Sequence, residues 1–177
     1  MQRKSLAFLF LLACSFFYFS CQKQLSQDED RQQLKGPGIT SNTKAETPHF
    51  NLEVILRGED RAFGHVKFRQ DASPSKIITL DIWVRDLDPN HEYLLQRAVD
   101  AINVVDGTCT STSWLTLGKG LTPQTIRTDA RGTGRESLWR DVSALPSGSS
   151  FDIHFRVVDA TTMAVVLTSD CYQYIVR

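Results

Sequence analysis

From residue 50 onward the chain alternates between apolar and polar positions. Phe50, Leu52, Val54 and Leu56 are interleaved with Asn51, Glu53, Ile55 and Arg57, and Val66 and Phe68 with His65, Lys67 and Arg69. Ile78, Leu80, Ile82 and Val84 alternate with Thr79, Asp81, Trp83 and Arg85, and Phe151, Ile153, Phe155 and Val157 with Asp152, His154 and Arg156. A period of two places each apolar set on one face of a pleated strand, and the β-branched and aromatic content suits that surface. Further strands are predicted over 93–99, 102–105, 124–128, 136–142, 165–168 and 172–176. Gly, Pro, Asn and Asp punctuate them at Gly58–Asp60, Asp88-Pro89-Asn90, Asp106-Gly107, Asp129–Gly134 and Pro146-Ser147-Gly148, where positive φ or a pre-set φ closes a turn. No helical period and no internal repeat emerges. The prediction for 49–177 is an all-β domain: an antiparallel Greek-key-type β-sandwich or flattened barrel of about eight strands.

The first 20 residues follow a different pattern. Arg3 and Lys4 precede an uncharged apolar run from Leu6 to Phe19, and the chain turns polar at Gln22-Lys23-Gln24. A bilayer-spanning helix needs roughly 20 apolar residues, more than this run supplies. A basic start followed by a short apolar segment reads as a secretory signal peptide over 1–20. Ser20-Cys21, at the apolar-to-polar boundary, resembles the lipobox of bacterial lipoproteins, in which the Cys is lipidated and becomes the mature N-terminus. Leu11-Leu12-Ala13-Cys14 is the competing site. Cleavage there would halve the apolar segment and leave Ser15–Phe19 exposed, so Cys21 is the expected anchor. A multiply acylated terminus gains roughly 0.8 kcal/mol per buried methylene and is held firmly. Residues 21–48 then read as a tether. Gln, Ser, Thr, Asp and Lys dominate there, and too little apolar surface is available to offset the entropy of ordering. As flexible chain, the tether reaches on the order of 30 Å. The expected location is the bacterial cell envelope, at the outer membrane, with the membrane itself as the first partner.

Charge and cysteine content narrow the chemistry. The 177 residues carry 20 Lys+Arg and 20 Asp+Glu, and loss of Arg3 and Lys4 with the leader leaves a slight acidic excess. That balance argues against a nucleic-acid partner, which would call for a basic face. Of the four Cys, two lie at the leader, and Cys109 and Cys171 remain in the domain. In an exported chain such a pair is read as one disulfide. It closes a loop of about 60 residues and contributes roughly 4 kcal/mol in the chain-entropy model. Metal ligation is disfavoured, because neither Cys has a His or second Cys at ligand spacing.

The order of elements resembles the Cu/Zn superoxide dismutase sandwich. Leu56–Asp60 with Gly64–Gln70 is similar to that family's first hairpin, and Ile82–Leu87 followed by Pro89–Tyr93 to its third strand and the approach to its metal motif. Cys109-Thr110-Ser111 and Asp170–Val176 match the places of its loop disulfide. The family's copper ligands do not carry over. Its His-x-His pair falls at Leu94 and Gln96, its later His at Asp159 after Val157-Val158, and its anion-guiding Arg at Thr168. No His lies between Trp114 and Asp129, where its zinc loop would be. Copper chemistry needs several imidazoles converging on one ion, and the four His (His49, His65, His91, His154) show no i, i+2 or i, i+4 spacing. The resemblance therefore implies a sandwich without the family's metals, and no cofactor is expected.

Other catalytic patterns are missing from the sequence. There is no G-x-S-x-G elbow, no H-E-x-x-H and no phosphate-cradling Gly loop. Asp129–Gly134 lacks the alternating carboxylates of a calcium loop and reads as a hairpin turn. Asp86 and Asp88, beside Pro89-Asn90, read as turn formers. What remains is surface. By the alternation, His65, Lys67, Arg69, Trp83, Arg85, His154 and Arg156 point away from the core. An outward Trp among basic residues suits an acidic protein partner or a glycan through stacking and charge, and a solvated face with Trp83 under a loop is the competing reading. Trp114 and Trp139 are placed in or near loops. The expected function is a non-enzymatic binding or structural module, with a metal-dependent enzyme or a carbohydrate-binding module as alternatives.

Overall fold

A computed structural model describes residues 50–71 and 73–177, with the side chain of Phe50 left out. The leader, Cys14, Cys21, the tether and His49 lie outside the described residues. Every regular element among those described is a strand. The long ones are β1 (Phe50–Arg57), β2 (Phe63–Gln70), β3 (Ile77–Arg85), β4 (Glu92–Val99), β9 (Gly134–Asp141) and β10 (Ser150–Asp159). Between β4 and β9 come the short β5 (Leu115–Thr116), β6 (Gly118–Lys119), β7 (Thr122–Pro123) and β8 (Thr125–Arg127). After β10 the chain ends with β11 (Val165–Ser169) and β12 (Tyr172–Ile175).

Hairpins join β1 to β2 and β2 to β3 in unbroken antiparallel register, Val54 opposite Val66 and Val66 opposite Ile82. The next neighbour of β3 is β9, while β4 lies beside β10, so the chain crosses over between hairpins. Strand β11 connects β10 back to β1. At the other end β8 pairs with β4, and a single bridge between Thr128 and Gly134 links it to the start of β9. The sheet thus curls into a nearly closed, flattened barrel, as the alternation predicts. Among the described residues one pairing is parallel, β6 with β9, Lys119 opposite Trp139. The predicted strand at 102–105 is a turn instead. Asn103 has φ 62°, and Ile102 and Val104 are about half exposed.

The inward sets meet as expected. Val54, Leu56, Val66, Leu80, Ile82, Leu95, Phe155 and Val157 are all buried. Phe68 packs edge-on to Tyr174 at 4.9 Å and Phe151 to Tyr174 at 5.3 Å, a favoured aromatic geometry. Gln70, fully buried, is satisfied there. Its Oε1 accepts from the Tyr174 hydroxyl and from the Arg177 backbone N–H (2.9 Å). At Gly132 the backbone has φ +73°, and a Cβ would lie 2.0 Å from the Leu87 carbonyl oxygen, so this turn needs glycine.

Cys109 and Cys171 form a disulfide with a Cα–Cα distance of 5.4 Å. It fixes the long loop between β4 and β5 against the start of β12. The loop is held from below as well. Buried Asp152 accepts the Asp106 and Gly107 N–H groups through Oδ2, both at 2.9 Å. Asp100 accepts Thr110 and Ser111 N–H at 2.9 and 2.7 Å, and these bonds hold its carboxyl below the usual range, since they favour the ionised form.

Candidate binding face

The register of β1, β2, β3 and β9 arranges their outward positions in rows. Ile55, His65, Trp83 and Arg135 form one row, and Glu53, Lys67, Asp81 and Ser137 the next. A third row runs Asn51, Arg69, Thr79 and Trp139. Of the seven basic and aromatic positions predicted to face outward, five therefore share one surface: His65, Lys67, Arg69, Trp83 and Arg85. A groove of about 610 Å³ runs over it, lined by His65, Lys67, Asp81, Trp83, Arg135 and Ser137 among others.

The charges of this face divide into paired and unpaired. His65 pairs with Glu53 at 3.3 Å, Arg69 with Asp81 at 3.8 Å, and Arg85 with Asp86 at 3.1 Å. The Ser137 hydroxyl donates to Asp81 at 2.8 Å. Lys67 and Arg135 have no hydrogen bond or ion pair among the described residues, and the groove they line also holds the carboxylates of Asp81 and Glu136, so its charge is mixed. Trp83 is half-buried. Its ring packs edge-on to Phe63 at 6.0 Å, and Arg85 covers that phenyl at 5.3 Å. The indole Nε1 of Trp83 has no hydrogen-bond partner, although buried donors ordinarily find one.

The same face carries a second indole. Trp139 stands in mid-strand β9, opposite Thr79, rather than in or near a loop. It lies four residues along from the Trp83 row, about 13 Å at the rise of a strand. Its ring lies over Gly120, where a Cβ would come within 2.7 Å of it. Arg135, Ser137 and Trp139 escaped the sequence reading of this face. The signal was the parity of β9, but nothing in the sequence says which strand lies beside β3.

The other two predicted positions belong elsewhere. His154 and Arg156 are on β10 and lie under the disulfide-held loop. The Arg156 guanidinium sits 4.0 Å from the Trp114 ring centroid, and His154 stacks on the same ring at 4.6 Å. His154 Nε2–H donates to the Ser111 carbonyl at 3.0 Å. Arg156 Nε–H donates to Gln96 Oε1 (2.8 Å), and Gln96 Nε2 donates to Thr116 (3.0 Å). His154 and Arg156 seat the loop and are half-buried beneath it.

The positions that the dismutase resemblance assigns to copper have other partners. Gln96 belongs to the chain just described, Leu94 faces Val158 across the β4–β10 ladder, and Asp159 bonds to His91 Nε2. Asp159 also accepts the Thr161 and Thr162 N–H groups at 2.8 and 2.7 Å. The Thr162 N–H, the His91 contact and the Thr161 N–H bring its carboxyl down to about 2. Among the described residues no three His, Cys, Asp or Glu side chains cluster in a way that could hold a metal ion. Comparison with protein-family models, curated proteins and solved structures returns no match.

Proposed function

We propose that the chain is a lipid-anchored cell-envelope module that binds an acidic glycan on the outer face of β2, β3 and β9. The observation that carries this reading is Trp83, an indole that lines a groove together with Lys67 and Arg135. A pyranose ring offers a C–H face for the indole and hydroxyls for the polar side chains around it. Its carboxylates or sulfates would meet Lys67 and Arg135 in charge-assisted bonds. Trp139, farther along the same face, suits a chain of several sugars rather than a single one. In this reading acylated Cys21 and the tether hold the sandwich at the outer membrane, and the face works by binding, without catalysis.

The test is retention of the protein in gels containing acidic or neutral polysaccharides. Acidic polymers should retard the wild-type domain, with retardation falling as salt rises. Trp83→Ala should weaken retention by about tenfold or more, the weight of one aromatic stacking contact, while leaving melting nearly unchanged. Equal retention of wild type and variant would refute the assignment.

A further inference from the structure

The directions of the strands define two ends of the barrel. β1 begins at Phe50, opposite the end of β2 at Gln70, and β9 ends at Asp141, opposite the start of β3 at Ile77. β1 and β10 both run antiparallel to β11, so they start at the same end. Ser150, at the start of β10, pairs with Ile175, which closes β12. Everything upstream of Phe50, the expected tether and Cys21 included, is therefore joined to the barrel at this end.

The same end carries exposed aliphatic side chains. Leu121, at the turn between β6 and β7, is 83% exposed, and Ile102, Val104 and Ile175 are about half exposed. Backbone bonds fix where they stand. The Gly120 N–H donates to the Trp139 carbonyl at 3.0 Å, which sets Leu121 beside the end of β9. The Asn103 N–H donates to the Ser150 carbonyl at 2.6 Å, which sets Ile102 and Val104 beside the start of β10. Leu121 lines a shallow depression with Asp141, Ser143 and Ala144. At the opposite end the exposed large apolar residues among those described are Met163 and Val165. One exposed aliphatic group is ordinary on a protein surface. An apolar rim around the end at which the chain enters marks a contact surface.

We propose that this end rests on the lipid bilayer, with Leu121, Ile102, Val104 and Ile175 set into the boundary between headgroups and acyl chains. The inference rests on the proposed anchor at Cys21. Aliphatic side chains at that boundary are withdrawn from water. Each contact is weak alone, but an anchor in the same bilayer makes docking intramolecular, and the high effective concentration lets weak contacts hold. Charges of both signs stand nearby, Lys76 and Arg140 against Asp106 and Asp141, so the docking is apolar in origin and does not depend on anionic lipid. Trp83, six residues along β3 from Ile77, then stands about 20 Å up its strand, clear of the lipid and open to a glycan.

The experiment is NMR on the full isotope-labelled chain in nanodiscs of phosphatidylethanolamine and phosphatidylglycerol that carry a lipid spin-labelled near its headgroup. Amides of Ile102, Val104, Leu121 and Ile175 should broaden several times more than those of Asp60, Arg131 and Thr162 at the opposite end, at low and at high salt alike. Joint Val104→Ser and Leu121→Ser replacement should abolish that difference and leave the melting temperature unchanged. The mass of the same sample reports whether it is acylated. Even broadening, or broadening strongest at the opposite end, would overturn the docking and leave an acylated anchor standing. A broadened rim on an unacylated chain would uphold the docking and refute the anchor. A chain neither acylated nor broadened would overturn both. Rim shifts that need no lipid and grow with protein concentration would assign this end to a second copy of the chain and overturn the proposal.

Discussion

Asp159 shows how much one side chain can organise. It accepts two backbone N–H groups of its own turn and joins the turn to His91 at the head of β4. Its carboxyl titrates near 2 rather than 3.8. A carboxyl depressed by folding stabilises the native state above its ordinary pKa, and that stabilisation is lost as pH falls through the folded value. Melting temperature should therefore drop between pH about 4 and about 2, and Asp159→Asn should flatten that part of the profile. Identical acid profiles for variant and wild type would show that the contact carries no linkage. At this scale the sequence was informative about parity and little else. His154 and Trp83 both read as outward residues and both are half-buried, yet one stacks on Trp114 and the other lines a groove. The difference comes from a loop whose path depends on Asp100, Asp152 and the disulfide, contacts that no local pattern encodes.

Among the elements, legibility followed length. β1, β2, β3 and β10 carry two to four inward apolar side chains each, enough to show a period of two, and all four form where predicted. The two-residue strands β5, β6 and β7 have no period to read. They exist because the segment crosses the barrel mouth and borrows bonds from β4 and β9. The stretch at 102–105 failed for the opposite reason. It is apolar and β-branched, but Asn103 takes a left-handed conformation and the stretch turns over the surface. The loop that contains it is held by Cys109–Cys171, whose loss typically costs about 2–5 kcal/mol. Replacing both cysteines by alanine should lower stability within that range and speed amide exchange across 100–114 while β1–β3 stay protected. Unchanged exchange in the loop would mean that Asp100 and Asp152 hold it unaided.

For the whole molecule the fold class was readable, whereas the strand count (about eight expected, twelve found) and the order of strands were not. Pairings such as β3 with β9 join distant segments, and period alone does not choose among partners. This is why the seven outward residues could not be divided between surfaces from the sequence. The result is a two-ended barrel: an open polar face with two indoles on β2, β3 and β9, and one end rimmed by exposed aliphatic side chains. At the other end of the chain, labelled palmitate should be incorporated into the wild type and a Cys14→Ala variant and lost in Cys21→Ala. Labelling that survives Cys21→Ala would move the anchor to Cys14. The glycan reading is tested most directly by titrating an acidic oligosaccharide into isotope-labelled domain and following the three indole N–H resonances. Saturable shifts of the Trp83 signal and of amides in β2, β3 and β9, with Trp114 unmoved, are the predicted result. Shifts confined to Trp114, or none at saturating sugar, would contradict it.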